Sequence, residues 1–347
     1  MLAAVFKGNG KLMLEDKPIP KIKREEEVLL KVRGVGICGT DLHILQVPPA
    51  HPAKVGAILG HEFTGVIIEV GSGVKEFKPG DAVLVDPHPG CGTCTECQNG
   101  RPDRCIPLYA GEEPGHCKTI GIFSDGAMAS YAIVPKHALF KISNKVPAHL
   151  AALAEPLSCV VSASEKLKVQ PGDTVVILGA GPIGLLFTCL LKACGAAKVI
   201  VSEPSAYRRQ VALECGATRA VNPKNEDLEA IVAEETGCGA DVVVEAVGPM
   251  INQCIRLVRP GGKVLQFGHD ELVRPEVQVA EIVRKEVNIH GAFIGKFSFE
   301  KVAKIIESGI LPLEKVVSHQ LSLSEVHQGI ELLRKGEGLK IILHPED

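Results

Sequence analysis

The sequence predicts an α/β protein of two domains, a β-rich domain followed by a doubly wound parallel sheet with helical crossovers. Three observations lead there. The chain has 347 residues, enough for roughly two domains of ~150 each, and its 46% hydrophobic content gives each a core to bury. Up to about Lys141 it shows short β-rich runs between turn signals, with no long amphipathic helix. From about Pro171 it alternates strand, helix and strand, the pattern of parallel strands joined by helices.

In the first half the predicted strands are 27–35, 64–70 and 82–86, punctuated by Gly71-Ser72-Gly73 and Pro79-Gly80-Asp81. They suggest a partly closed β domain. In the second half the predicted order is strand 174–178, helix 182–194, strand 199–202, helix 207–215, and strands 241–246 and 263–267. After about Asn288 come an apolar strand-like stretch, helices near 299–308 and 323–335, and a closing strand 340–343, a segment expected to return to the first domain.

Lys plus Arg total 38 against 41 Asp plus Glu, a net charge of −3 without any basic block, which argues against nucleic acid as a partner. The longest uncharged stretch, Thr174 to Leu191, is broken by three glycines and a proline. It reads as strand, turn and buried helix, and no membrane span is expected. Lys7 and Gly8-Asn9-Gly10 stand where a secretory signal would need its apolar core, so a cytoplasmic location is expected.

Twelve cysteines without a secretory signal suggest metal ligation rather than disulfides. Cys91, Cys94, Cys97 and Cys105 are separated by two, two and seven residues, with Gly92, Gly100 and Pro102 in the gaps. A tight loop of that kind can set four thiolates at the corners of a tetrahedron, the closed shell of a structural zinc. The seven other cysteines outside the motifs, Cys117, Cys159, Cys189, Cys194, Cys215, Cys238 and Cys254, read as reduced packing residues.

Gly179-Ala180-Gly181-Pro182-Ile183-Gly184 follows a predicted strand and opens a predicted apolar helix. Gly179 permits the tight turn, Gly181 lets backbone approach a pyrophosphate, and Gly184 lets the helix pack on the strand, while the helix N-terminus faces the phosphates. Nineteen residues beyond Gly184, Glu203 stands at the end of the next predicted strand. A carboxylate there can accept hydrogen bonds from the adenosine ribose and would repel a 2′-phosphate, which favours NAD over NADP; Arg208 and Arg209 point the other way.

Two further motifs, Gly36-Ile37-Cys38-Gly39-Thr40-Asp41-Leu42-His43 and Gly60-His61-Glu62, carry groups that bind metals or relay protons. Cys38 and His61 with one carboxylate would make a three-ligand shell with an open corner, as in catalytic zinc. Glu155 and Glu62 compete for the third place.

In order and separation, the Cys38–His43 segment, Gly60-His61-Glu62, the four-cysteine loop and the Gly179–Gly184 turn resemble the zinc-containing medium-chain dehydrogenase/reductase (alcohol dehydrogenase) family, in its polyol (sorbitol) and threonine dehydrogenase branch. The resemblance spans essentially the whole chain. It implies a GroES-like catalytic domain over 1–145, completed by 290–347, a Rossmann-type coenzyme domain over 146–289, an active site between them, and a homotetramer or homodimer. It also implies one catalytic and one structural zinc, with NAD as coenzyme. Cys38 and His61 match the family's catalytic zinc ligands, Glu155 the third ligand of the polyol branch, and Glu62 a ligand or alternate ligand in some members. Thr40 and His43 match its proton relay, and Pro182, Ile183, Glu203 and Arg208 fall where similar enzymes hold NAD. The implied reaction is hydride transfer between NAD(H) and a polyol or other secondary alcohol, with a ketone as product. L-threonine 3-dehydrogenase and diol dehydrogenase are the alternatives. Threonine-acting members carry Asp where this chain has Glu155, which tilts the expectation toward a polyol.

Overall fold

A computed structural model describes residues 1–110, 117–269 and 273–345. They form two compact units. The first comprises Met1–Ser158, Lys296–Ser308 and Val317–Asp347, and the second Cys159–Gly295 and Gly309–Val316.

The first unit begins with β1 (Leu2–Phe6), β2 (Leu12–Asp16), β3 (Glu27–Ile37), α1 (Gly39–Ile44), β4 (Glu62–Val70), β5 (Ala82–Val85), α2 (Thr95–Gln98), α3 (Ile106–Tyr109), β6 (Tyr131–Pro135), β7 (Leu139–Lys141) and α4 (Ala148–Ala151). Helix α5 (Ala154–Leu167) contains the boundary. The second unit continues with β8 (Thr174–Leu178), α6 (Pro182–Ala193), β9 (Lys198–Ser202), α7 (Ala206–Glu214), β10 (Arg219–Val221), α8 (Leu228–Thr236), β11 (Ala240–Glu245), α9 (Ile251–Leu257), β12 (Val258–Gln266), α10 (Val279–Lys285) and β13 (Asn288–Gly291). The chain then returns to the first unit through α11 (Phe299–Ser308), β14 (Val317–Ser322), α12 (Val326–Arg334) and β15 (Lys340–His344).

Among the described residues the first unit holds a sheet in the order β14-β15-β3-β4-β5-β7, with β6 also on β3. Strand β3 is long enough to be shared: its first half, Glu27–Lys31, pairs with β6, and Val35–Ile37 pairs with β15. The closing strand therefore ends up inside the sheet, beside the residues that lead into Cys38. Val28, Leu30, Val32, Val35, Ile37, Phe63, Ile67, Val83, Ile341 and Leu343 pack into one buried cluster. Each such side chain contributes roughly 1.5–3 kcal/mol on burial.

The second unit holds a parallel sheet in the order β10-β9-β8-β11-β12-β13. The five residues of β8 are all buried, because a parallel strand covered by helices on both faces needs apolar side chains at every position. From β8 the chain moves outward to β9 and β10, then crosses back to β11 on the other side. That reversal makes a topological switch point between β8 and β11, where open sheets of this type bind dinucleotides at the carboxyl ends of the strands. Among the described residues no helix is long and apolar enough to cross a membrane.

Candidate metal and coenzyme sites

Cys38 follows β3 directly and is the N-cap of α1. Thr40 donates its backbone N–H to the Cys38 sulfur at 3.4 Å, and its Oγ1 lies 3.6 Å from that sulfur. Asp41 Oδ2 accepts the Cys38 N–H at 2.9 Å, closing a capping box. The sulfur thus sits at the start of the helix, fixed by the cap and by the Thr40 backbone. Register pairs Gly36 on β3 with Glu62 at the start of β4, which brings His61 and Glu62 to the same place. A side chain at Gly36 would run into the Glu62 carboxylate, so glycine makes the room.

Cys38, His61 and Glu62 offer ligand atoms all within 4.8 Å of one another, and His61 and Glu62 are buried. The donor set is one thiol, one imidazole and one carboxylate, which fits zinc with a corner left open. The His61 ring turns Nδ1 toward Asp41 Oδ1 at 3.9 Å, and these two buried atoms have no hydrogen-bond partner among the described residues. A carboxylate behind a ligating histidine orients the ring and leaves its other nitrogen for the metal. Burial opposes charge on His61, but Cys38, Asp41 and Glu155 outweigh it and push its pKa up to about 10. Burial raises the Asp41 carboxyl as well, against the pull of His61. The surrounding negative groups favour a cation at this place.

Glu155, near the start of α5, is also buried and contributes to the field at His61 and at Lys340, but it lies outside the group of three. Lys340 on β15 joins the site from 278 residues away in sequence. It is buried, and its Nζ donates to both Glu62 oxygens at 2.8 and 2.6 Å and to the Ile37 carbonyl at 3.3 Å. Desolvation works against its charge, yet Glu62, Cys38 and Glu155 raise its pKa. The signal for it was a single charge within the otherwise apolar run Leu339 to Leu343. Asp41 lies within the Cys38–His43 motif, and its place behind His61 emerges only in the fold. Thr40 is half-buried and His43 is exposed on α1, three residues apart and so on one helix face.

The four cysteines Cys91, Cys94, Cys97 and Cys105 also lie within 4.8 Å of one another. Cys94 and Cys105 sulfurs are 4.0 Å apart, close to the ~3.8 Å edge of a tetrahedron with zinc–sulfur bonds of ~2.3 Å. Backbone N–H groups of Cys91 and Cys94 point at the Cys105 and Cys91 sulfurs, both at 3.3 Å. The Thr93 hydroxyl and neighbouring N–H groups bring the Cys91 thiol down to about 6, whereas desolvation pushes Cys97 up to about 12. Four thiolates this close need a cation to coexist.

In the second unit, Gly179 turns at φ +95°, where other residues are strained, and a side chain at Gly184 would meet the Gly179 carbonyl. Gly181 N-caps α6, with Pro182 at the first position and Ile183 next; no side chain caps the helix, and a Cβ at Gly181 would meet nothing within 4 Å. The cradle that a pyrophosphate needs is therefore open. Glu203 is buried at the end of β9, with Oε2 accepting the Ala180 N–H and Oε1 the Ser205 N–H, both at 2.9 Å. The carboxylate thus ties the glycine turn to the next strand. Arg208 begins α7 on the Ser205 cap, and Arg209 spends one nitrogen on the Glu203 and Pro204 carbonyls, each at 2.8 Å.

Residues 24–144 match the sequence profile of the alcohol dehydrogenase GroES-like domain, and residues 182–308 that of zinc-binding dehydrogenases. The chain is 34% identical to sorbitol dehydrogenase of Bacillus subtilis, over 99% of this chain and 97% of that protein. It is 36% identical to L-threonine 3-dehydrogenase of Thermococcus kodakarensis, over 92% and 91%. A zinc-binding dehydrogenase of Sinorhizobium meliloti, solved bound to NADP, shares its fold with a TM-score of 0.91 and 32% identity, covering 99% of each chain. With three potential metal ligands gathered in one unit and a glycine turn opening a helix in the other, the chain belongs to the zinc-containing medium-chain dehydrogenase/reductase family, in its polyol and threonine dehydrogenase branch, and is an alcohol oxidoreductase.

Proposed function

We propose that the chain is an NAD-dependent polyol dehydrogenase that oxidises a secondary hydroxyl to a ketone, with Cys38, His61 and Glu62 as the ligands of its catalytic zinc. The observation that carries this is the gathering of a thiol, an imidazole and a carboxylate within 4.8 Å of one another, a set that would leave a zinc one open corner. Its catalytic domain would be 1–145 completed by 290–347, and its coenzyme domain 146–289; the two compact units are likewise discontinuous but differ in bounds, with 146–158 in the first and 290–295 and 309–316 in the second. When bound, zinc would supply Lewis-acid polarisation of the substrate oxygen, and nicotinamide would take the hydride.

The chain's own residues do the rest. Cys38 is held in place by the start of α1, and Asp41 orients His61. Thr40, beside the Cys38 sulfur, takes the hydroxyl proton, and exposed His43 passes it to water. Glu155 adds negative charge without ligating, so Glu155→Gln should retain both zinc ions while Glu62→Ala loses the catalytic one. Metal analysis of the two variants decides between the carboxylates. Cys91, Cys94, Cys97 and Cys105 hold the structural zinc.

Gly179, Gly181, Pro182, Ile183 and Gly184 cradle the pyrophosphate, and Glu203 selects NAD. Arg208 sits at the start of α7 on the adenosine side. Replacing Glu203 with alanine should raise the NADP-to-NAD ratio of kcat/KM by about 10- to 100-fold, since each factor of ten is ~1.4 kcal/mol. An unchanged ratio would remove Glu203 from coenzyme selection. The defining experiment is a kinetic panel of polyols, sugars, inositols, diols and threonine with each coenzyme. Turnover of none of them would sink the reading, and preference for threonine would favour the second reading, which the 36% identity to a threonine dehydrogenase supports.

Strand β13 is an edge strand beside which Val279, Val283, Ile289 and Phe293 are exposed. Free backbone next to apolar side chains supports pairing with a second copy of the chain, and a solution mass of one chain would refute it. The free cysteines support a reducing, cytoplasmic setting, which cell fractionation tests.

A further inference from the structure

Glu245 is fully buried at the carboxyl end of β11, and the coenzyme reading gives it no part. Its Oε1 accepts the N–H groups of Val247 at 3.0 Å and Gly248 at 2.7 Å. Its Oε2 accepts the Gly248 N–H at 2.9 Å and the side-chain amide of Gln266 at 2.6 Å. Gln266 is its register partner on β12, and that same amide nitrogen also reaches the Gly248 and Gly268 carbonyls, each at 3.0 Å. The backbone oxygen of Glu245 accepts in turn from Phe267 and Gly268. One residue therefore holds the loop after its own strand and the loop after the neighbouring strand.

The two loops touch. A side chain at Gly268 would collide with the Gly248 nitrogen, and Gly248 itself sits at φ +134°. Val247, fixed through its N–H, leaves its side chain half exposed, 2.8 Å from where a Cβ on Gly179 would stand. An apolar surface is thus set beside the pyrophosphate turn. Glu203 marks the β9 side of the switch point as the adenosine half, which leaves the carboxyl ends of β11 and β12 to the other half of the dinucleotide.

We propose that Glu245, together with Gln266, is a positioning residue that fixes the 246–248 and 267–269 loops as the seat of the nicotinamide half of the coenzyme. This rests on the coenzyme reading given above. Both Glu245 oxygens face N–H donors, so glutamine at 245 sets an NH2 against a donor whichever way it turns, and the loops must shift. Gln266→Met removes the amide half of the clamp without adding a donor, and serves where Glu245→Gln does not fold.

The test titrates the full chain and each variant with NADH and with ADP-ribose, which lacks the nicotinamide. The dissociation constant for NADH should rise about tenfold, and that for ADP-ribose less than about twofold. Equal weakening of both ligands, as general loosening of the unit would give, overturns the proposal, and so does no weakening of either. If the unsubstituted chain binds neither ligand, the coenzyme reading itself fails and takes the proposal with it.

Discussion

Replacing Cys38 with serine is expected to lower turnover by at least about a thousandfold, because an ion that stabilises developing charge is worth several kcal/mol and each ~1.36 kcal/mol is a factor of ten. NADH binding should survive, since the glycine turn and Glu203 belong to a different unit of the chain. Serine is a good N-cap, so α1 keeps its start and the loss cannot be put down to a broken helix. What disappears is the thiolate. Zinc should fall from about two ions per chain to about one, the remainder being the closed four-cysteine site. A Cys38→Ser enzyme with full activity and two zinc ions would end the proposed mechanism.

The second large effect is on stability. Lys340→Met should destabilise the zinc-free first unit by about 3–5 kcal/mol, the usual result of leaving a buried carboxylate without its partner, since no metal then shares the Glu62 charge. Glu62 and Lys340 are each nearly solvent-free, and the lysine donates to both oxygens. Adding Glu62→Gln to Lys340→Met should recover part of the loss, because the pair rather than the lysine alone is at stake. Urea unfolding of the two single variants and the double variant gives the coupling. A Lys340→Met change of under about 1 kcal/mol would mean that water reaches Glu62 and that the pair is not sealed.

Much of this site is written locally. The four cysteines, the Gly179–Gly184 turn and the Cys38 and His61 motifs each lie in one short segment, so spacing alone reveals them. The strand 174–178 and the helix 299–308 were also legible, because a continuous apolar run and a 3.6-residue period are local signals. The helix over Ala154–Leu167 gives no such local signal, since its apolar residues run into the surrounding alanine-rich segment without a clear stripe. What could not be read was pairing across the chain. Glu62 and Glu155 both fit the third place by residue type; the register of Gly36 with Glu62 puts Glu62 in the group of Cys38 and His61, while Glu155 is buried on α5 and adds to the field at His61. Lys340 stands 278 residues from Glu62, and nothing near it in sequence says that its partner is an acid. Glu245 and Gln266 are adjacent only because β11 and β12 lie side by side.

The position of β15 bears on how the molecule is made. Synthesis delivers this strand after everything it packs against, yet it lies between β14 and β3 and brings the cation that neutralises Glu62. Until residues 340–344 leave the ribosome, the nascent first unit carries an open edge along Val35–Ile37 and an unbalanced acid beneath it. A chain stopped short of Lys340 should accumulate as insoluble material, even though it already contains the cysteine, histidine and glycine motifs of both sites.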